Sequence, residues 1–175
     1  VSYIDAQIGR ITNELEKLGL AENTIIIFWG DHGMLLREHG LWRKYYNYEI
    51  ATHSPLIVKV PWKKPGLESS ELVEFVDIYP SLCELAGLSK PFHLQGESFA
   101  PLLDNPGQSR DKDVFYRTSH GETILTKTHA YTEFIDFESG EIKSRMLYDH
   151  RVDPGENVNV AELPENKEIV RSLHE

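Results

Sequence analysis

Asp31 and His32 stand side by side directly after the apolar run 24–29 (TIIIFW). A carboxylate oxygen beside an imidazole nitrogen can serve one divalent metal, the oxygen as a hard ligand and the nitrogen as a borderline one. Gly30 and Gly33 flank the pair and let the backbone turn sharply around it. The alternative for the two side chains is an aspartate that caps a turn beside a surface histidine. More chemistry follows at once in EHGLWRK, residues 38–44. Lys44 can bind an oxyanion as a point charge, or remain a solvated surface lysine. His39 can orient a ligand from behind, or hydrogen-bond a loop carbonyl. His53, in THSP just before a second apolar run, can serve a site or be a satisfied buried histidine at a strand entrance.

The elements around these residues must hold them. Isoleucines and leucines at 4, 8, 11, 15 and 18 predict an amphipathic helix over 3–18. The run 24–29 reads as a buried strand, and PLIVKV at 55–60 as another, ended by Pro61. A helix before a doubly apolar strand points to an α/β fold with a mostly parallel sheet. In such sheets ligands sit beyond the carboxyl ends of strands, where Asp31-His32 falls. The polar stretch 31–54 is long for a connection, which marks a functional loop. Residues 72–88 read as an extended entry into a helix. From about Asn105 the texture changes: a polar linker leads into strand-like runs at 114–117, 122–126, 129–134 and 145–148. Turn signals at Gly121 and Ser139-Gly140 predict hairpins, and 162–174 closes as a helix. The expected organisation is an α/β portion over 1–105 and a small antiparallel sheet with a terminal helix over 106–175.

Composition closes off other classes. The 175 residues are 40% hydrophobic and 26% charged, the balance of a globular chain. Eighteen Lys and Arg against 28 Asp and Glu give a net charge of −10, which excludes an overall basic nucleic-acid footprint. Cys83 is the sole cysteine, so an internal disulfide, a cysteine zinc site and an iron–sulfur cluster are excluded. No apolar run is long enough for a membrane span. The start lacks both an initiator Met and a signal-peptide pattern, and the chain is expected to be cut from something longer.

The string GDHGMLLREHGLWRKYYNYEIATHSPLIV, residues 30–58, resembles the sulfatases of the alkaline-phosphatase-like superfamily, in particular the iduronate-2-sulfatase branch. YIDAQIGR at 3–10 is similar to the helix before that family's metal strand. Asp77-Ile78-Tyr79-Pro80-Ser81-Leu82 resembles its D-[IL]-x-P-[ST]-L helix. Residues 94–103 resemble its L-x-G-x-S-x-x-P-L-L segment, and Leu147-Tyr148-Asp149 with Asp153-Pro154-Gly155-Glu156-Asn157 its L-Y-D-x-x-x-D-P-x-E-x-x-N signature. The resemblance implies an alkaline-phosphatase-like sandwich and hydrolysis of sulfate esters of sugars or other small molecules. It implies a four-ligand divalent cation, calcium first with manganese or magnesium as alternatives, to which Asp31 and His32 contribute. Lys44 then contacts the sulfate, with His39 and His53 as substrate-binding residues near the rim. The implied nucleophile is a formylglycine made from Cys or Ser in C/S-x-P-S-R, which attacks sulfur and releases the alcohol. That string and the early Asp pair are absent, so an N-terminal half is the implied partner and the chain alone is expected to be inactive. Cys83 lies in a predicted helix with no Pro-Ser-Arg after it and is expected to be a buried thiol. Arg37 departs from the family, which has Gly there. A phosphonate or phosphate diester hydrolase of the same superfamily, and a non-catalytic domain that binds anions or a partner, are the alternatives. Family habit places such proteins in the periplasm, outside the cell or in lysosomes.

Overall fold

The computed structural model describes residues 1–119 and 121–174. Helix α1 (Ser2–Lys17) leads through a single 3-10 turn into strand β1 (Ile26–Trp29). The loop beyond β1 contains a two-residue hairpin, β2 (Leu35–Leu36) with β3 (Trp42–Arg43), and a one-turn helix α2 (Glu49–Thr52). Strand β4 (Leu56–Lys59) then returns beside β1. Helix α3 (Ile78–Leu85) follows an extended entry. The remainder is a sheet in the order β5 (Val114–Arg117), β6 (Glu122–Leu125), β7 (His129–Ile135), β8 (Ile142–Asp149), closed by α4 (Lys167–His174).

The α/β expectation holds, but the pairing of its two strands differs from the parallel arrangement. β1 and β4 run antiparallel, Ile26 opposite Lys59 and Trp29 opposite Leu56. Parallel neighbours need a crossover element, usually a helix. The intervening loop holds only the single turn of α2, so the chain doubles back. Every strand pairing among the described residues is antiparallel. The expected doubly buried strand is also only half covered: Phe28 and Trp29 are 37% and 47% exposed. None of the apolar residues of α1 is buried, and Ile4 and Ile11 stand well out in solvent.

Two cores organise the chain. Ile78, Phe99 and Leu102 form one, with Ile27, Leu56 and Val58 of the two-stranded sheet packed on it. Tyr131, Leu147 and Ala161 form the other, where Ile169, Val170 and Leu173 of α4 cover the four-stranded sheet. The apolar spacing of α4 (169, 170, 173) is what presents one face to that sheet. Cys83 is buried and free, as a small apolar side chain.

Asp77 ties the portions together. It is 0% exposed and accepts bonds from the amides of Glu74 (3.0 Å) and Glu97 (2.8 Å), from Arg110 Nη1 (3.1 Å) and from Lys112 Nζ (2.8 and 3.0 Å). Burial works against its charge. The Glu74 amide, Lys112 and the Glu97 amide outweigh that and hold its carboxyl below the usual range. Residues 110–112 thus enter β5 already anchored to the start of α3.

Candidate functional site

The loop from Gly30 to Ser54 is stitched at both ends to the β1–β4 pair. The Gly30 amide donates to the Pro55 carbonyl (3.1 Å), and Ser54 Oγ donates to the Gly30 carbonyl (2.9 Å). Deeper in, the amides of Gly33 and Met34 donate to the carbonyls of Ala51 (2.9 Å) and Ile50 (3.1 Å) in α2. A Cβ at Gly33 would lie 2.0 Å from the Ile50 oxygen, so only glycine permits this approach. Asp31 and His32 are therefore held between the end of β1 and the back of α2.

Their orientation favours a cation. His32 Nδ1 lies 2.5 Å from the Gly33 carbonyl, an acceptor, so Nδ1 carries the proton and Nε2 presents its lone pair. Nε2 is buried without a hydrogen-bond partner, although Asp31 Oδ2 is 2.9 Å away. Two acceptor atoms facing each other at that separation repel unless a positive charge lies between them, and the distance suits two ligands of one ion. A backbone carbonyl fixing the far nitrogen is the usual support of a metal-bound histidine. The carboxylate of Asp31 is 80% exposed and open to such an ion. Lys44 Nζ stands 3.6 Å from the same Oδ2 and lies over the Tyr45 ring at 5.2 Å. Among the described residues no third His, Cys, Asp or Glu completes a metal cluster with them.

Of the sequence-derived residues, the structure thus gathers Asp31, His32 and Lys44. His39 and His53 are engaged with other side chains. The His39 ring stacks on Tyr48, with centroids 4.0 Å apart and planes 6° apart. His53 is not buried at the strand entrance: its side chain is 74% exposed and Nδ1 pairs with Glu49 Oε1 at 3.2 Å.

The loop carries concentrated backbone strain. Arg37, His39, Arg43 and Tyr45 all have positive φ, at 109°, 54°, 85° and 75°. Such values are costly for side-chain-bearing residues and cluster where function holds them. Arg37 is the most extreme.

What sequence reasoning missed is the anchoring of this loop on the small sheet. Buried Asn47 donates to the Gly121 carbonyl (3.1 Å) and to Thr123 Oγ1 (2.9 Å), and accepts from Thr118 Oγ1 (2.5 Å). Tyr116 donates to the Asn47 carbonyl, and burial pushes its phenol up to about 12. The Glu49 amide donates to Glu156 Oε2 (2.8 Å). The only hint in the sequence was the D-P-x-E-x-x-N string itself, whose Glu156 proves buried.

Comparison with known proteins places this arrangement. The structure superposes on that of BT4656 in complex with its substrate D-glucosamine-2-N,6-O-disulfate, with a TM-score of 0.88 and 31% identity, covering 98% of this chain and 36% of that one. It also matches phosphonate monoester hydrolase from Silicibacter pomeroyi, at a TM-score of 0.81 and 26% identity over 98% of this chain and 37% of the other. Among curated relatives, rat arylsulfatase K is 33% identical over 92% of this chain and 31% of its own length. Human iduronate 2-sulfatase is 38% identical over 71% of this chain and 27% of its own. The fold is therefore that of the C-terminal part of alkaline-phosphatase-like sulfatases. The chain belongs to the family N-sulphoglucosamine sulphohydrolase, C-terminal, which it matches over residues 37–175. It spans between a quarter and a third of the length of these curated relatives, and Asp31 and His32 lie just ahead of the family match.

Proposed function

We propose that residues 1–175 are the C-terminal portion of a sulfatase that hydrolyses sulfate esters of sugars. The observation that carries this reading is the convergence of Asp31 Oδ2, the lone pair of His32 Nε2 and Lys44 Nζ at the end of β1. A carboxylate, an imidazole lone pair and an ammonium in one spot suit a cation and a bound oxyanion together. Asp31 and His32 would hold the divalent cation, calcium first as the resemblance to sulfatases implies, with manganese or magnesium as alternatives. When bound, that ion supplies charge neutralisation at the sulfate oxygens. Lys44 binds a sulfate oxygen as a point charge and stabilises the charge that develops in the transition state. His39, set on Tyr48, and exposed His53 offer ring nitrogens to more distant groups of the substrate. The formylglycine nucleophile and the remaining metal ligands come from an N-terminal part outside these residues, so 1–175 alone is inactive.

The exposed apolar surface supports that division. Tyr3, Ile4 and Ile11 on α1 are 56–75% exposed, and Phe28 of β1 and its cross-strand partner Ile57 of β4 are 37% and 61% exposed. Isolated apolar side chains are ordinary on surfaces, but this many along one helix and on one side of the β1–β4 pair mark a surface that is covered. The N-terminal part is the occupant we assign to it.

The relationship to a phosphonate monoester hydrolase gives a second reading, action on a phosphonate or phosphate diester. Turnover of a sulfated glucosamine and of a phosphonate monoester by the full-length polypeptide separates the two. Preferred release of sulfate is expected; strong preference for the phosphonate overturns the sulfatase reading. No turnover of either substrate, with the metal bound, assigns the chain to a non-catalytic anion-binding role.

A further inference from the structure

We infer that Glu156, acting with His150, is the positioning residue through which the small C-terminal sheet sets the Asp31-His32 loop. The connection is continuous. Gly33 and Met34, next to the candidate ligands, hang from the Ala51 and Ile50 carbonyls of α2. α2 is one turn long, too short to persist by itself, and its N-cap residue Tyr48 gives it no side-chain bond. Its first amide, that of Glu49, is held by Glu156 Oε2 at 2.8 Å. The other oxygen of Glu156 meets His150 Nε2 at 3.0 Å, and His150 Nδ1 lies 3.7 Å from Glu49 Oε2. His150 therefore bridges two carboxylates, one from the loop and one from the sheet's C-terminal extension.

Glu156 is only 3% exposed and holds φ at 54°. A left-handed glutamate costs free energy, and a buried carboxylate costs more unless it is fully paired. Both costs are offset by delivering this one side chain to α2 and His150. Glu156 touches neither Asp31 nor Lys44, so its role is to place the loop and not to act on substrate.

The bridge responds to pH. Glu156 first, then the charges of Glu49 and Asp149, outweigh burial and hold His150 above its ordinary value. Asp153 also faces it, burial holds the neighbouring His129 below its ordinary value, and the phenols of Tyr116 and Tyr148 line the same carboxylates. A raised histidine stabilises fully below its unfolded pKa, and the contribution fades as pH rises through the raised folded value. The loop is thus held more firmly on the acid side.

The inference rests on the sulfatase reading only for what the loop is for, and its test is independent of turnover. Amide hydrogen exchange of the full-length polypeptide reports the bonds of Gly33 and Met34 directly. In Glu156→Ala, protection of these two amides is expected to fall about tenfold or more, with the Tyr131 and Leu147 amides of the small sheet unchanged. Glu156→Gln keeps an acceptor for the Glu49 amide but offers His150 no charge. It is expected to retain protection at Gly33 and Met34 while losing the fall in protection that the native protein is expected to show as pH rises above the ordinary histidine value. Glu156→Gln also serves should Glu156→Ala fail to fold. Unchanged protection in the alanine variant, or an equal loss at Tyr131 and Leu147, overturns the positioning role. A native-like pH dependence in Glu156→Gln overturns the part assigned to His150. Absence of sulfate release by the native protein would count against the function proposed above and leave this result standing.

Discussion

Replacing Asp77 by Asn should be among the most damaging single changes outside the candidate site. Asp77 is fully buried and its carboxylate receives five hydrogen bonds from four groups, two of them cations. Asparagine keeps one acceptor oxygen and turns an NH2 toward donors. The neighbouring cations are then left short of charge in a region where Arg110 and Lys112 side chains are 8% and 16% exposed. Breaking a buried ion pair by neutralising one partner costs about 3–5 kcal/mol. Two contacts moderate the loss. Lys112 still meets Glu74 Oε2 at 2.8 Å, and Arg110 still donates to the Leu72 and Glu97 carbonyls. We therefore expect about 3 kcal/mol, the lower end, against a usual stability of about 5–15 kcal/mol. Denaturant unfolding of the full-length polypeptide should show an earlier midpoint at unchanged slope. The sign with pH follows from the depressed carboxyl. Its contribution is present above the ordinary aspartate value and fades as pH falls through the lower folded value, so the native and variant curves should converge in acid. A variant within about 0.5 kcal/mol of native near neutral pH would refute the view that this buried charge cluster joins the two portions.

Other changes separate the roles within the loop. Lys44→Ala should leave metal content unchanged and lower kcat about 100-fold or more, the usual loss for one oxyanion-stabilising group; native-like kcat would remove Lys44 from the chemistry. Arg37→Gly should raise stability by about 1 kcal/mol in thermal unfolding, because φ of 109° strains arginine and not glycine. A destabilised Arg37→Gly would mean that the side chain holds the loop.

Much of this architecture was legible in the sequence because local pattern and tertiary need coincide. The strand-like runs at 114–117 and 129–134 became β5 and β7 nearly as written; β5 alternates in exposure as a strand with one covered face does, while Ala130, Tyr131 and Thr132 of β7 are buried in succession. α1 likewise follows its periodic isoleucines, yet none of them is buried, because periodicity tells which face is apolar and not what covers it. The direction of β4 was not legible. A six-residue apolar run reads the same in either orientation, and only the lack of a crossover helix in the observed loop settles it. At the site, Asp31, His32 and Lys44 are adjacent or in one loop, so short-range reasoning could bring them together. The exposure of His53 was not legible, because the strand entrance suggested burial while Glu49, one turn earlier, pairs with it in the open. Glu156 reaches the loop, and Asn47 reaches the small sheet from it, across more than 70 residues of sequence, where no local signal exists.

The central claim is that Asp31 and His32 hold a metal in a sulfatase. Its most direct test is metal content and sulfate release from a 6-O-sulfated glucosamine, measured together on the native full-length polypeptide and on Asp31→Ala. The account predicts a bound divalent cation and sulfate release by the native protein, with both largely lost in the variant. Full metal content and undiminished sulfate release in Asp31→Ala would contradict it.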